Sequence, residues 1–320
     1  MSLLKPASNA AASLVLIGLS GFGVAGLSGI GHRWVDILAQ FTAPVLLAAT
    51  VLTLACLVLR LWPAFVVGVL AGLVLLAAVW PQWMTPMGRR QPDQPVIRVY
   101  SANLWEPNTD VDAMRASIVE ANADIVILVE VGDAPIARID ELLADYAHRK
   151  VNGPTKLGES SARSIIASRY PIVEKLPWRR DGLSAIGAVV DTPLGHVTVF
   201  GVHLTRPWPY QYQWGQITQV MALTARRKAA APGPTIVAGD FNSVSSARIG
   251  RQIKRDLDLV PAPGFPGTWP SSLPSVLGIT IDQVYRSRDL ALVDRRVGRP
   301  TGSDHYPVVT EFTLAEPSTP

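Results

Sequence analysis

Polar side chains able to bind cations or move protons recur along this chain at the ends of short apolar runs. Asn103 follows Val96-Ile97-Arg98-Val99-Tyr100, and Glu130 closes Ile125-Val126-Ile127-Leu128-Val129. His203 closes Val197-Thr198-Val199-Phe200-Gly201-Val202, while Asp240 and Asn242 follow Thr235-Ile236-Val237-Ala238-Gly239. Asp282 sits in Thr280-Ile281-Asp282, and Asp304-His305 follow Gly302-Ser303. Singly, such residues are ordinary, because a strand-end carboxylate commonly forms a turn or caps a helix. Together, carboxylates, amides and two imidazoles at strand ends suit phosphoester hydrolysis around a hard cation. Such a cation takes oxygen ligands and retains water. The ester needs its charge neutralised, its attacking water oriented and its leaving oxygen stabilised. The single cysteine, Cys56, lies in an apolar run, which excludes an internal disulfide or a thiolate metal site.

The elements that position these residues are legible as hydrophobic periodicity. Beyond Val96 the pattern alternates between strands and helices. Strands are expected at 96–100, 124–129, 164–168, 185–191, 196–202, 235–239, 281–285 and 305–313. Helices are expected at 111–122, where Val111, Met114, Ile118 and Ala121 share a face, and at 134–145, 211–229 and 245–254. This mixture implies an α/β domain with packed sheets and helices outside them. The domain spans residues 96–314, with a proline-rich linker at 86–95 and a disordered tail at 315–320.

The first 85 residues have a different character. Residues 1–91 carry five Lys/Arg and one acid, Asp36; against chain totals of 29 and 25, this leaves 24 basic and 24 acidic residues beyond. The basic excess therefore belongs to the N-terminal part, and the globular part is formally neutral, which argues against nucleic acid as its partner. Three uncharged windows, 6–31, 37–59 and 61–88, are each long enough for a membrane helix of roughly 20 residues. Trp34, Trp62, Trp80 and Trp83 lie near the window edges, as interfacial tryptophans do. The glycines of the first window suit close helix packing. Three transmembrane helices are expected. A cleaved leader explains the first window alone and not the other two. Lys/Arg counts favour a cytoplasmic domain by one residue, a margin that does not decide orientation.

The ordered set Asn103, Leu128-Val129-Glu130-Val131, Ser168-Arg169-Tyr170-Pro171-Ile172, Val202-His203-Leu204, Gly239-Asp240-Phe241-Asn242-Ser243, Ile281-Asp282 and Gly302-Ser303-Asp304-His305-Tyr306-Pro307-Val308 resembles the endonuclease/exonuclease/phosphatase superfamily. The resemblance runs from about Val96 to Phe312. It implies a four-layer αββα sandwich, preceded here by the three transmembrane helices, with the site at one edge of the two sheets. It implies that Glu130 binds Mg²⁺ or Mn²⁺, with Asn103 beside it and Asp304 supporting the metal side. Asp240 and Asn242 would orient the attacking water and the phosphate. His305 would be the catalytic imidazole, oriented by Asp282, and His203 would contact phosphoryl oxygens or assist the leaving group. Val129 and Gln283 stand where many relatives have Gln and His; neither carries a role in this scheme.

Among members of that superfamily, membrane proteins linked to teicoplanin resistance are similar in layout. The similarity implies an inner-membrane protein with an outward, periplasmic domain acting on a lipid-linked phosphate or pyrophosphate at the bilayer. The aromatic stretch Arg206-Pro207-Trp208-Pro209-Tyr210 suits a lid that meets lipid, and the loop bearing Trp269 is a second candidate wall. Arg206, Trp208, Tyr210 and Trp269 are therefore expected to bind substrate. A membrane-tethered endonuclease is the rival enzyme. A non-catalytic binding domain is the alternative from another class, and retention of Glu130, Asp240, Asn242, Asp282 and His305 speaks against it. No protein partner is legible.

Overall fold

The computed structural model describes residues 4–153, 163–177, 179–207 and 213–317. The N-terminal part forms four helices: α1 (Leu4–Ser28), α2 (Arg33–Gln40), α3 (Thr42–Val58) and α4 (Trp62–Trp83). Two of them, α1 and α4, are long and apolar enough to cross a membrane; α2 and α3 together qualify only as a pair bent by 59°. The expected second span is thus divided. Residues 37–40 belong to α2, and α3 retains 17 residues, about 25 Å at 1.5 Å each, the short end of a bilayer span. The physical cause is α2's attachment elsewhere: both its Asp36 and its Gln40 are buried against the globular domain. Asn9, near the start of α1, accepts from the N–H of Ala64 near the start of α4, and Gln82 at the end of α4 reaches Thr42 at the start of α3. Hence α1 and α4 run parallel and α3 runs back between their ends. The approach of α3 to α4 depends on Gly68, where a Cβ would fall 2.2 Å from Thr53 Oγ1.

The segment between α4 and the domain is tied down. Gln91 N–H bonds to the Leu314 carbonyl, Leu292 N–H to Met87, and Arg286 to the Pro86 carbonyl. Arg90 bridges Ala315, and Glu316 N–H bonds to Arg89, so the expected tail is paired at its first two residues.

Among its described residues the domain has twelve strands: β1 (Ile97–Asn103), β2 (Ile125–Val131), β3 (His148–Asn152), β4 (Arg163–Ser168), β5 (Ile172–Lys175), β6 (Ser184–Thr192), β7 (Gly195–His203), β8 (Thr235–Asp240), β9 (Val260–Pro261), β10 (Asp282–Arg286), β11 (Leu290–Val297) and β12 (Val308–Leu314). Its helices are α5 (Val111–Ala121), α6 (Asp133–Ala137), α7 (Ile139–Leu142), α8 (Gln213–Ala229) and α9 (Arg248–Leu257). The strands form two six-stranded sheets, ordered β11-β12-β1-β2-β4-β3 and β5-β6-β7-β8-β10-β9. Alternate residues of the central strands meet between the sheets: Val99, Ile125 and Ile127 from one, Ile186, Val199 and Ile236 from the other. The opposite faces carry helices, with Met114 and Ile118 of α5 over the first sheet and Val220 of α8 with Ile253 of α9 over the second. The result is the expected αββα layering.

Two expected elements differ. The helix at 134–145 is two short ones, because Arg138 leaves helical geometry (φ −114°, ψ 27°) while its guanidinium bonds to Asp112 and Glu141. The last strand begins at Val308 rather than 305, since His305 is held by Ser303 through its backbone and by Asp282 through its ring.

Candidate active site

Strand register brings the singled-out residues to one edge of both sheets. In the first sheet β1 and β2 are parallel, and Asn103 pairs with Val129, beside Glu130. In the second, β7 and β8 are parallel with His203 opposite Asp240, and antiparallel β10 puts Asp282 opposite Asp240. Glu130 lies in a β-bulge against β4 and has φ +50°. A bulge re-aims a side chain, and here the Glu130 carboxylate meets His203 Nε2 at 3.0 Å from the other sheet. Gly239 allows the second sheet to close: its φ is +137°, and a Cβ there would lie 2.0 Å from the Val202 carbonyl oxygen.

Asp240 is the hub. Its Oδ1 accepts the Asn242 N–H at 2.7 Å; its Oδ2 accepts the Asn103 amide at 3.1 Å. The same Oδ2 lies 3.8 Å from His203 Nε2 and 3.9 Å from His305 Nε2. Asp240 is 2% exposed, and burial, reinforced by the Asp282 charge, lifts its carboxyl to about 6 against the pull of His305, His203 and the Asn242 N–H. His305 Nδ1 is 2.9 Å from Asp282 Oδ2, both residues being buried. Burial pushes the His305 imidazolium down. The Asp282 charge and hydrogen bond, with Asp240 and Asp304 behind them, outweigh that and lift it to about 10. His305 is therefore an imidazolium at neutral pH.

The donor set fits a hard divalent cation. Ligating atoms of Glu130, His203 and Asp240 lie within 4.8 Å of one another, as do those of Asp240, Asp282 and His305. Asp282 Oδ1 and Asp304 Oδ1 are buried without hydrogen-bond partners, and several carboxylates face each other across a small space. Carboxylate oxygens with one imidazole suit Mg²⁺ or Mn²⁺. Two expected metal-side residues stand differently from Glu130. Asn103 turns its NH₂ toward Glu130 (3.0 Å) and Asp240, and its oxygen accepts the Trp105 N–H, so it orders the carboxylates. Asp304 lies on the His305 side, 3.7 Å from Nε2, and its Oδ2 accepts the Trp269 indole N–H at 3.3 Å.

Of the expected substrate-binding residues, Arg206 and Trp269 line one cavity of about 120 Å³ together with Asn242. Trp208 and Tyr210 lie outside the described residues. The structure adds supports that no motif announced. Thr268 Oγ1 accepts the N–H groups of both Ile281 and Asp282. Gln216 of α8 donates to the Phe241 and Asn242 carbonyls, and Asn242 has φ +46°, a backbone state asparagine tolerates. Most unexpected is α2. Gln40 accepts the Val244 N–H at 2.7 Å and donates to Ser243 Oγ, gripping the loop that carries Asn242. Asp36 accepts from Gln213 and from the Arg248 N–H at 2.7 Å, which caps α9, whose own preceding residue Ala247 has no capping side chain. Asp36 is the lone acid among residues 1–91, the one signal that could have marked it.

Comparison with known proteins agrees with this architecture. A UPF0294 protein of Vibrio campbellii is 22% identical over 224 residues, covering 68% of this chain and 78% of that protein. An endonuclease/exonuclease/phosphatase structure from Beutenbergia cavernae superposes with a TM-score of 0.53 at 23% identity, covering 71% of this chain and 72% of the other. A mannosyl-6-phosphatase from Bacteroides thetaiotaomicron gives a TM-score of 0.53 at 18% identity, covering 68% of this chain and 99% of the other. At these identities the structures share the fold. The sequence model described as the endonuclease/exonuclease/phosphatase family matches residues 100–305, a span that begins within β1 and ends at the Asp282-bound His305, and the chain belongs to that family.

Proposed function

We propose that this protein is a membrane-anchored, divalent-cation-dependent phosphoesterase acting on a phosphate ester or pyrophosphate of a lipid-linked substrate. The carrying observation is the chain of contacts Asp282–His305–Asp240, which joins an imidazolium held by one buried carboxylate to a second buried carboxylate. Asp240, at about 6, is ionised at pH 7 yet basic enough to take a proton from an attacking water. Asn242 N–H fixes Oδ1, and the amides of Asn103 and Asn242 orient Oδ2, the oxygen that faces both histidines and the water. His305, held as an imidazolium, donates Nε2–H to a phosphoryl oxygen and stabilises the charge that builds there. His203, against Glu130, stands on the opposite side of Asp240 to hold a second phosphoryl oxygen. Glu130 and Asp240 would hold Mg²⁺ or Mn²⁺, which would supply Lewis-acid neutralisation of the phosphate.

The lipid part of the reading rests on α1 and α4, which are long and apolar enough to span a bilayer, with α3 as a shorter third. With all three as spans, the domain would lie on the side opposite the N-terminus. We place it outside the inner membrane, in the periplasm. The formally neutral domain disfavours DNA, since a nuclease draws affinity from a basic face.

The test is Mg²⁺-dependent phosphate release from a polyprenyl pyrophosphate by the full-length protein in detergent, with EDTA, His305→Ala and plasmid DNA in parallel. Release abolished by EDTA and by the substitution, with plasmid intact, supports the reading. Nicked plasmid without phosphate release overturns it in favour of a nuclease.

A further inference from the structure

The cavity that reaches Asn242 is lined mainly by apolar side chains. Besides Arg206, Gln40 and Asn242 its walls are Ile37 and Phe41 of the α2–α3 bend, Pro207, Trp269, Ile279 and Ile281. A second cavity, of about 340 Å³, shares Gln40 and Ile279 with the first. Its walls include Ala43, Leu46, Leu47 and Thr50, one face of α3, and Phe265 and Val276 from the loop before β10. Among the described residues no charged side chain lines it. Leu47, Phe265 and Val276 remain substantially exposed, and Val51 and Leu54 continue the apolar surface along α3. One end thus meets a cationic, phosphate-suited site, and the other meets a helix built for hydrocarbon.

We infer that these two cavities form a tract for the hydrocarbon chain of an amphiphilic phosphate, running from Asn242 past Phe41 and Ile279 onto α3. This rests on the phosphoesterase reading and on α3 lying in the bilayer. It adds where the chain goes and which residues select it. Charge and apolarity match the ligand's two ends: Arg206 and Asn242 line the end for the phosphate, and the α3 face takes the chain. The polar side chains of the second cavity, Gln40, Thr50, Gln82 and Thr280, already bond within the chain, so a peptide's backbone N–H and C=O groups would find few partners there, which is costly. A hydrocarbon brings no such groups. The 59° bend at Phe41 is then what aims the tract. A straight α2–α3 helix could not both grip the Asn242 loop and line a path into the membrane.

The experiment uses the full chain in lipid nanodiscs, a long-chain alkyl phosphate bearing a diazirine in its chain, and the matched alcohol as control. Labelled residues are read by peptide mass spectrometry in EDTA, so that turnover plays no part. The phosphate form is expected to label Phe41 and residues 279–281 about tenfold more than the alcohol, the worth of one charge-assisted hydrogen bond. Ala43→Trp and Val276→Trp, which fill the second cavity from opposite walls, should each lower that labelling at least ~5-fold by steric exclusion. Val276 is 55% exposed, so its variant folds even if Ala43→Trp does not, and an unchanged melting temperature confirms it. Equal labelling by the alcohol, or labelling indifferent to Val276→Trp, overturns the tract. Mg²⁺-dependent turnover without selective labelling removes the tract and leaves the hydrolase. Selective labelling without turnover keeps the tract and removes the hydrolase.

Discussion

Replacing Asp282 by asparagine isolates the electrostatics of the site, because the side chain keeps its shape and loses only its charge. Asp282 Oδ2 lies 2.9 Å from His305 Nδ1, and its charge and hydrogen bond are the foremost influences raising that imidazolium from 6.5 to about 10. At roughly 1.4 kcal/mol per pH unit, the shift corresponds to about 5 kcal/mol in favour of the protonated ring. Because the folded value lies above the unfolded one, this contribution to stability is fully present below about pH 6.5. It is lost as pH rises through about 10. Asp282→Asn should therefore flatten the alkaline fall in stability and lower the His305 value by about two pH units or more, as removing the partner of a buried pair costs several kcal/mol. Activity at pH 7 should fall by roughly 10²–10⁴, the usual worth of a placed acid or base. The assay is ¹³Cε1-histidine NMR of the full chain in detergent with EDTA, titrated from pH 5 to 11, with His305→Gln to assign the resonance among the five histidines. A His305 signal titrating near 6.5 in the parent protein, or one indifferent to Asp282→Asn, would refute the reasoning.

Protonation of Asp240 competes with a cation for the same oxygens, so Mg²⁺ affinity by calorimetry should fall as pH drops through about 6; a flat profile from pH 5 to 8 would place the cation elsewhere. Glu130→Gln should weaken Mg²⁺ by about tenfold or more, since it removes a charge from the cation's oxygen set, and calorimetry at pH 7.5 checks this. Gly239→Ala places a Cβ 2.0 Å from the Val202 oxygen at φ +137°, a strain of at least ~3 kcal/mol, visible as a lowered melting temperature or loss of folded protein. Gln40→Ala leaves the buried Val244 N–H without its acceptor, a cost of about 1–3 kcal/mol; a denaturation midpoint equal to the parent's would deny α2 its role.

What was legible in the sequence is the part written as local pattern. Strands such as 124–129 and 235–239 are runs of buried apolar residues on both faces, and their terminal Glu130 and Asp240 are where such runs must meet water. The register that sets His203 and Asp282 on either side of Asp240 follows from sheet order, which no local pattern carries. The strands the sequence did not reveal, β3, β5, β9 and β11, are the four sheet edges, and β9 is only two residues long. There one face is solvated, and charges such as Arg149, Lys150, Asp294 and Arg295 interrupt the apolar run. The break at Arg138 was hidden for another reason, since its ion pairs reach Asp112, far off in sequence. The functions of Asp36 and Gln40 were hidden most completely, because each acts through backbone N–H groups more than 200 residues away. A backbone donor has no sequence signature.

Those two side chains bear on how the N-terminal helices and the domain act as one molecule. A flexible tether would need no buried polar contact with the domain, and the linker could supply it alone. Instead Asp36 caps α9 and Gln40 holds the loop of Asn242, so the helices and the site share hydrogen bonds that water would otherwise satisfy. A buried polar pair of this kind contributes little net stability but strongly penalises any arrangement that leaves one partner unpaired. The penalty fixes orientation. With α3 beginning one residue after α2 ends and α4 returning through the pinned segment at Pro86–Gln91, the Asp240 edge of the sheets cannot swing away from the helices. For a substrate dissolved in water this constraint has no use. On the proposed function, where the reactive phosphate and hydrocarbon chain are covalently joined, it would keep the Asp240 edge within reach of the phosphate while the chain remains among the helices.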